Sequence, residues 1–213
     1  MESFTRGLYR IGEVIIYAMV SFFYSELILL PIFAIDLLVE GSISSYIMIF
    51  IPLVGLLGFA LERQAISFTA AFVNDKKVYP PYFKEVFNKD WLSKYGLYTL
   101  LFALYYYGNG SLSIIGQTSA VFGILRIILL YFYRGIIFYT ILQTSHREYV
   151  GIITSVKNSL ILSYKYFIFT ILIFVVWEVF ENLYIVNSVW MLIFIIIFAA
   201  LINTVNEYAI KKI

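Results

Sequence analysis

The chain has 213 residues, of which 62% are hydrophobic and only 13% charged. A soluble domain carries roughly 25% charged residues, so a water-facing surface cannot be covered here and lipid must face most of it. The net charge of +2, without a basic stripe interleaved with aromatics outside the membrane-flanking segments, excludes nucleic acid as a partner.

Six apolar runs approach the roughly 20 residues that a helix needs to cross a bilayer. The first, near 13–35, follows Arg6 and Arg10 and is interrupted by Glu26. It is longer than a cleaved leader's apolar core and no small-residue cleavage site follows, so it reads as a retained signal-anchor helix. The second lies near 45–61, with room to continue past Glu62 toward Val73. A short third run near 91–107 ends at Gly108-Asn-Gly-Ser111, which reads as a tight outer turn. The fourth lies within 112–142, the fifth near 166–185 and the sixth near 189–208. Paired in order, they predict a single all-α membrane domain over 1–213, six transmembrane helices in three hairpins joined by short interfacial amphipathic helices.

The outer connections, 36–44, 108–111 and 181–188, are short and carry Asp36, Glu40 and Glu181 but no basic residue. Thirteen of the fifteen basic residues fall on the other side: Arg6, Arg10, Arg63, Lys76, Lys77, Lys84, Lys89, Lys94, Arg147, Lys157, Lys165, Lys211 and Lys212. The positive-inside rule then puts both termini in the cytoplasm of a bacterial cell membrane. The other two, Arg126 and Arg134, lie inside the fourth run.

The inner connections are patterned. In 82–92, Phe83, Phe87 and Trp91 recur every four residues while Lys84 and Lys89 take the other face, which predicts an interfacial helix started by Pro80-Pro81. In 152–164, Ile153, Val156 and Leu160 form a similar stripe, and Phe4, Leu8 and Ile11 a third. Val86, Asn88, Leu92 and Ser93 recur seventy residues on as Val156, Asn158, Leu162 and Ser163, a faint threefold repeat of elbow plus hairpin. Phe83, Lys84, Phe87, Lys89 and Trp91 are the candidate surface for docking a membrane or cytoplasmic protein partner.

Ionisable residues within a membrane cost about 2.5–3.5 kcal/mol each on insertion scales and usually face the protein interior. Glu26, Arg126 and Glu178 share one depth, with Arg134 nearer the cytoplasm and placed to snorkel. One reading is a ligand site in which Arg126 holds an anionic group or bridges Glu26 and Glu178. The other is an ion pair locking helices together, or facing a second copy of the chain. Glu13, Glu62 and Glu207 read as surface residues at span ends, and His146 as a solvated loop residue. Gly55 with Gly58, and Gly116 with Gly123, permit close helix approach.

There is no cysteine and a single histidine, no Walker loop, no nucleophile elbow and no carboxylate cluster with metal-ligand spacing. The chain reads as a non-enzyme without cofactor or metal. Three stretches carry a family likeness: Phe4-Thr-Arg-Gly-Leu-Tyr-Arg-Ile-Gly, Tyr82-Phe-Lys-Glu-Val-Phe-Asn-Lys-Asp-Trp-Leu and Ser155-Val-Lys-Asn-Ser-Leu-Ile-Leu-Ser. With these the layout resembles the YesL-like family of small bacterial membrane proteins. The resemblance implies an accessory or subunit of a transport complex, linked to carbohydrate ABC transporters, with no residue roles to carry over. The alternatives are a self-contained small-solute carrier or ligand binder using the midplane charges, and an immunity protein against a membrane-active peptide.

Overall fold

The structure is a computed structural model that describes residues 2–38, 47–74, 81–117, 119–186 and 190–210. Glu40, Lys76, Lys77, Pro80, Lys211 and Lys212 lie outside the described residues, as does the connection at 39–46. The described chain is all helical. In order come α1 (Glu2–Leu38), α2 (Ile47–Phe68), the four-residue α3 (Phe83–Val86), α4 (Trp91–Gly116), α5 (Ala120–His146), α6 (Ile152–Lys165), α7 (Phe167–Val186) and α8 (Trp190–Val205). The ends of α2 and α8 widen into π-helical turns at Thr69–Val73 and Asn206–Ile210. Helix is the expected outcome for such apolar runs, since it satisfies every backbone N–H and C=O within its own segment.

Among the described residues, three stretches are long and apolar enough to cross a membrane: Tyr9–Ile35, Ile51–Val73 and Ala120–His146. A fourth arises if Ile152–Lys165 and Phe167–Leu183, bent by 99° at their junction, form one broken span.

α2 is the central helix, packed on α1, α4, α5 and α8. Its two glycines set the spacing to α4. A Cβ at Gly55 would stand 2.3 Å from the Thr99 hydroxyl, and one at Gly58 only 2.2 Å from the Tyr98 ring. Small residues at the crossing let the backbones approach, which is how helices pack where lipid is as apolar as leucine.

Two helices turn their polar faces inward. Tyr17, Ser21 and Ser25 form the buried stripe of α1, while Ile15, Met19, Phe23, Leu27 and Leu30 are exposed. On α6 the buried residues are Ser155, Ser159 and Ser163, four apart and so on one face. Ser159 lies 2.9 Å from the Thr140 hydroxyl and accepts from Gln143 Nε2 at 2.7 Å. Ile153, by contrast, is 84% exposed. Such a pattern is inverted relative to a soluble amphipathic helix and suits a lipid surround.

Several sequence expectations are corrected. Gly108-Asn-Gly-Ser111 is not a turn but lies inside α4. α4 instead ends at Gly116 and α5 begins at Ala120, where the Ser119 hydroxyl caps α5 by accepting from the Phe122 N–H at 3.4 Å. Gly116 and Gly123 meet across that junction. The proposed elbow at 82–92 is not one helix. α3 stops at Val86, the chain bends through Phe87–Asp90, and α4 begins at Trp91. No separate N-terminal elbow exists, because α1 runs unbroken from Glu2. The seventy-residue echo therefore spans a bend in one place and a continuous helix in the other, so the threefold repeat does not hold. The 152–164 elbow is a helix, entered at Gly151 with φ +92°, a conformation that favours glycine.

Candidate functional site

Polar residues buried among apolar helices must find partners on neighbouring helices, because an unpaired buried charge is strongly unfavourable. Three groups do so around the central helix, all drawn from the charges that composition makes scarce.

The first joins α2, α4 and α5. Lys94 Nζ donates to Glu62 Oε1 at 2.7 Å, and both side chains are 1% exposed. Tyr98 donates to Glu62 Oε2 at 2.8 Å, and its oxygen lies 2.7 Å from the Thr144 hydroxyl. Glu62 and Lys94 are thus not surface residues. Their positions near span ends suggested exposure, but α2 continues to Phe68 and its wider last turn, which carries Glu62 inside.

The second group lies one residue on. Arg63 is fully buried and turned toward α1, where its Nη2 donates to Ser21 Oγ at 2.7 Å and Ser25 Oγ at 3.1 Å and to the Ser21 carbonyl. Its guanidinium lies 5.7 Å from the Tyr24 ring centroid. Gln64 Nε2 bonds the same two serines, at the Ser21 carbonyl (2.9 Å) and Ser25 Oγ. Successive helical residues point about 100° apart, so Glu62-Arg63-Gln64 supplies one charge to α4 and two polar groups to α1. Two of the thirteen basic residues assigned to the cytoplasmic side, Arg63 and Lys94, are therefore interior.

The third group centres on Arg134 of α5. The residue does not snorkel toward the cytoplasm. Its side chain is 1% exposed and pairs with Glu178 Oε2 at 2.6 Å and Glu181 Oε2 at 2.7 Å, both on α7. Its Nε donates to the Tyr105 hydroxyl at 2.9 Å, which donates on to Glu181 Oε1 at 2.6 Å. Trp177 Nε1 also donates to that oxygen, at 2.9 Å. The guanidinium lies 4.9 Å from the Phe174 ring centroid. One cation thus faces two carboxylates, and the group as drawn carries a formal charge of minus one. Glu178 and Glu181 are less buried than their partner, at 50% and 39% side-chain exposure.

Of the four intramembrane residues singled out from sequence, the structure joins only Arg134 and Glu178. Arg126 reaches neither Glu26 nor Glu178. It donates to Asn109 Oδ1 at 3.1 Å and ties α4 to α5 near their hairpin turn. Glu26 is half-buried on α1 and makes no hydrogen bond or ion pair with the described residues. Glu181 was missed because its place near the end of the fifth run suggested an outer connection. The readable signal was Trp177, Glu178 and Glu181, whose three- and four-residue spacings share a helix face.

Between the second and third groups lies a cavity of about 360 Å³, within the range typical of small-ligand sites. α2 supplies Leu57, Ala60 and Leu61 to its wall, and α4, α7 and α8 supply Phe102, Tyr106, Trp177, Phe180 and Phe194. Ser25 and Gln64 bring the second polar group to the wall, and Glu181 brings the third. Tyr106 is 63% exposed.

On the docking surface, Lys84, Phe87, Lys89 and Trp91 are exposed, whereas Phe83 packs edge-on against Tyr24 at 6.0 Å between ring centroids. Phe87 also lies over Phe59, at 4.9 Å. His146 is not simply solvated. It is half-buried, with Nε2 3.0 Å from the Thr69 hydroxyl and Nδ1 2.8 Å from that of Ser145. Thr69 in turn donates to Asn203 Oδ1 at 2.8 Å, which ties the C-terminal ends of α2, α5 and α8 together. Comparison with known proteins finds no family model, no curated protein and no solved structure that matches this chain.

Proposed function

We propose that the chain is a multi-pass protein of a bacterial cell membrane that binds a small apolar solute in the cavity between α1, α2, α4, α7 and α8. The cavity is the observation that carries this reading, because its walls are almost entirely aliphatic and aromatic, with Ser25, Gln64 and Glu181 as the few polar points. A pre-formed pocket with an apolar body and a few fixed polar points is the usual form of a small-molecule site.

In this reading α1, α2, α4, α5, α7 and α8 all cross the bilayer, with α6 lying at the cytoplasmic interface and both termini inside. The exposed apolar stripe of α1 and the inward serine face of α6 support it. Single cysteines can be placed freely, since the chain has none of its own. A membrane-impermeant maleimide applied to intact cells should label Ser119→Cys and spare Asn88→Cys and Glu148→Cys. Labelling of all three would contradict the crossing of α4 and α5, and labelling of the latter two alone would contradict the placing of both termini inside.

Solute occupancy is tested with neopentylbenzene, a neutral apolar probe, on protein in nanodiscs. A ligand that binds only the folded state raises stability by about 2.7 kcal/mol at a hundred times its Kd. The thermal midpoint should therefore rise with probe concentration and saturate. Ala60→Phe, which places a ring in the cavity, should abolish the rise. An equal shift in both proteins would assign the effect to partition into lipid and refute the site.

A second reading, an accessory subunit of a transport complex as the YesL-like layout suggests, is favoured by the exposed aromatic and basic residues Lys84, Phe87, Lys89 and Trp91 at the α3–α4 bend.

A further inference from the structure

We infer that the cavity takes an amphipathic cation, a compact positively charged head on an apolar body, held by the aromatic wall and Glu181. The inference rests on the cavity being a solute site and goes beyond it by naming the ligand's charge.

Two observations lead there. Phe102, Tyr106, Trp177, Phe180 and Phe194 together present rings from three helices, with Phe180 and Phe194 centred 5.3 Å apart and Trp177 and Phe194 5.9 Å apart. Ring faces attract a cation within about 6 Å and offer nothing comparable to an anion. Glu181 is the one acidic residue among the lining side chains, and none of them is basic.

Glu181 does not have Arg134 to itself. Arg134 must serve both Glu178 and Glu181, so one negative charge is left over. Of the lone-pair sites on the Glu181 carboxylate, Tyr105 and Trp177 take two on Oε1 and Arg134 one on Oε2. A carboxylate has about four, which leaves room at Oε2 for one more positive contact. Arg63 is not among the lining residues, and its Nη2 is held by Ser21 and Ser25 of α1. The apolar remainder of the ligand would lie along Leu57, Ala60 and Leu61.

The test compares benzyltrimethylammonium with neopentylbenzene, its uncharged isostere, by equilibrium binding to the full chain in nanodiscs. The cation should bind about tenfold more tightly or better. Glu181→Gln keeps an acceptor for Tyr105 and Trp177, so this variant should lose the preference while still binding the neutral probe. Phe194→Leu removes a ring but no charge, and should weaken the cation more than the neutral probe, so the inference stays open to test if Glu181→Gln does not fold. Equal affinity for the two probes, or a preference undiminished by Glu181→Gln, would overturn the cation assignment and leave the solute site standing. Saturable binding of neither probe would remove both.

Discussion

Replacing Lys94 with methionine should lower the stability of the folded protein by about 4 kcal/mol, because it strands a buried carboxylate. Lys94 and Glu62 are each 1% exposed and 2.7 Å apart. Methionine fills the volume of the lysine stem, so packing is little changed and the loss is electrostatic. Tyr98 would still donate to Glu62 at 2.8 Å, one hydrogen bond where there had been two. For a protein of this length each kcal/mol moves the thermal midpoint by about 2–4 °C, so the midpoint should fall by roughly 8–16 °C. Adding Glu62→Gln should restore most of it, since Tyr98 keeps an acceptor and no charge remains. Replacing both members of a buried pair is often neutral or even stabilising, whereas removing one is not. Thermal unfolding of the two single variants and the double gives the coupling directly. Additive losses would mean that the two side chains do not meet.

Arg134→Leu should lower stability by about 3 kcal/mol, less than Lys94→Met because the stranded carboxylates are half exposed rather than buried. The arginine holds Glu178, Glu181 and Tyr105 at once through three nitrogens. Its loss removes these ties between α5 and α7 and sets two carboxylates on one helix face against each other. Arg134→Lys should recover only part of the loss, since an ammonium cannot reproduce the planar fork that reaches three acceptors in fixed directions. Thermal unfolding in mild detergent measures both. Full recovery by lysine would show that the guanidinium geometry is immaterial and that charge alone holds the group.

The helices were largely legible in the sequence. Six long apolar runs leave a backbone little choice but helix when lipid surrounds it, and α1, α2, α4, α5, α7 and α8 occupy those runs. Local turn chemistry misled at Gly108-Asn-Gly-Ser111. Glycine and asparagine there signal a turn on their own, yet α4 continues through them to Gly116 and turns where Gly116 can meet Gly123. Tertiary contact overrode propensity.

The charges were harder to place for a different reason. Depth along a helix can be read from residue counting, and it set Arg126 level with Glu26 and Glu178. Rotation and neighbours cannot be read that way. Arg126 stands near the hairpin turn, eight residues before Arg134, about 12 Å along the axis at 1.5 Å per residue, and only Arg134 faces α7. Glu62-Arg63-Gln64 had no periodicity to reveal which residue meets which helix, since three adjacent residues point three ways. The α3–α4 segment showed a four-residue aromatic spacing, but Val86 and Tyr82 hold its inward side and the helix between them is a single turn.

The most direct test of the solute site is Trp177 fluorescence with Trp91 and Trp190 replaced by phenylalanine. Trp177 lines the cavity, is 8% exposed and donates to Glu181. Titration with bromobenzene, a neutral apolar quencher, into protein in nanodiscs should quench its emission to a plateau, and Ala60→Phe should remove the saturable part. Linear quenching without a plateau, unchanged by Ala60→Phe, would show that the quencher reaches Trp177 only through the lipid and would contradict the site.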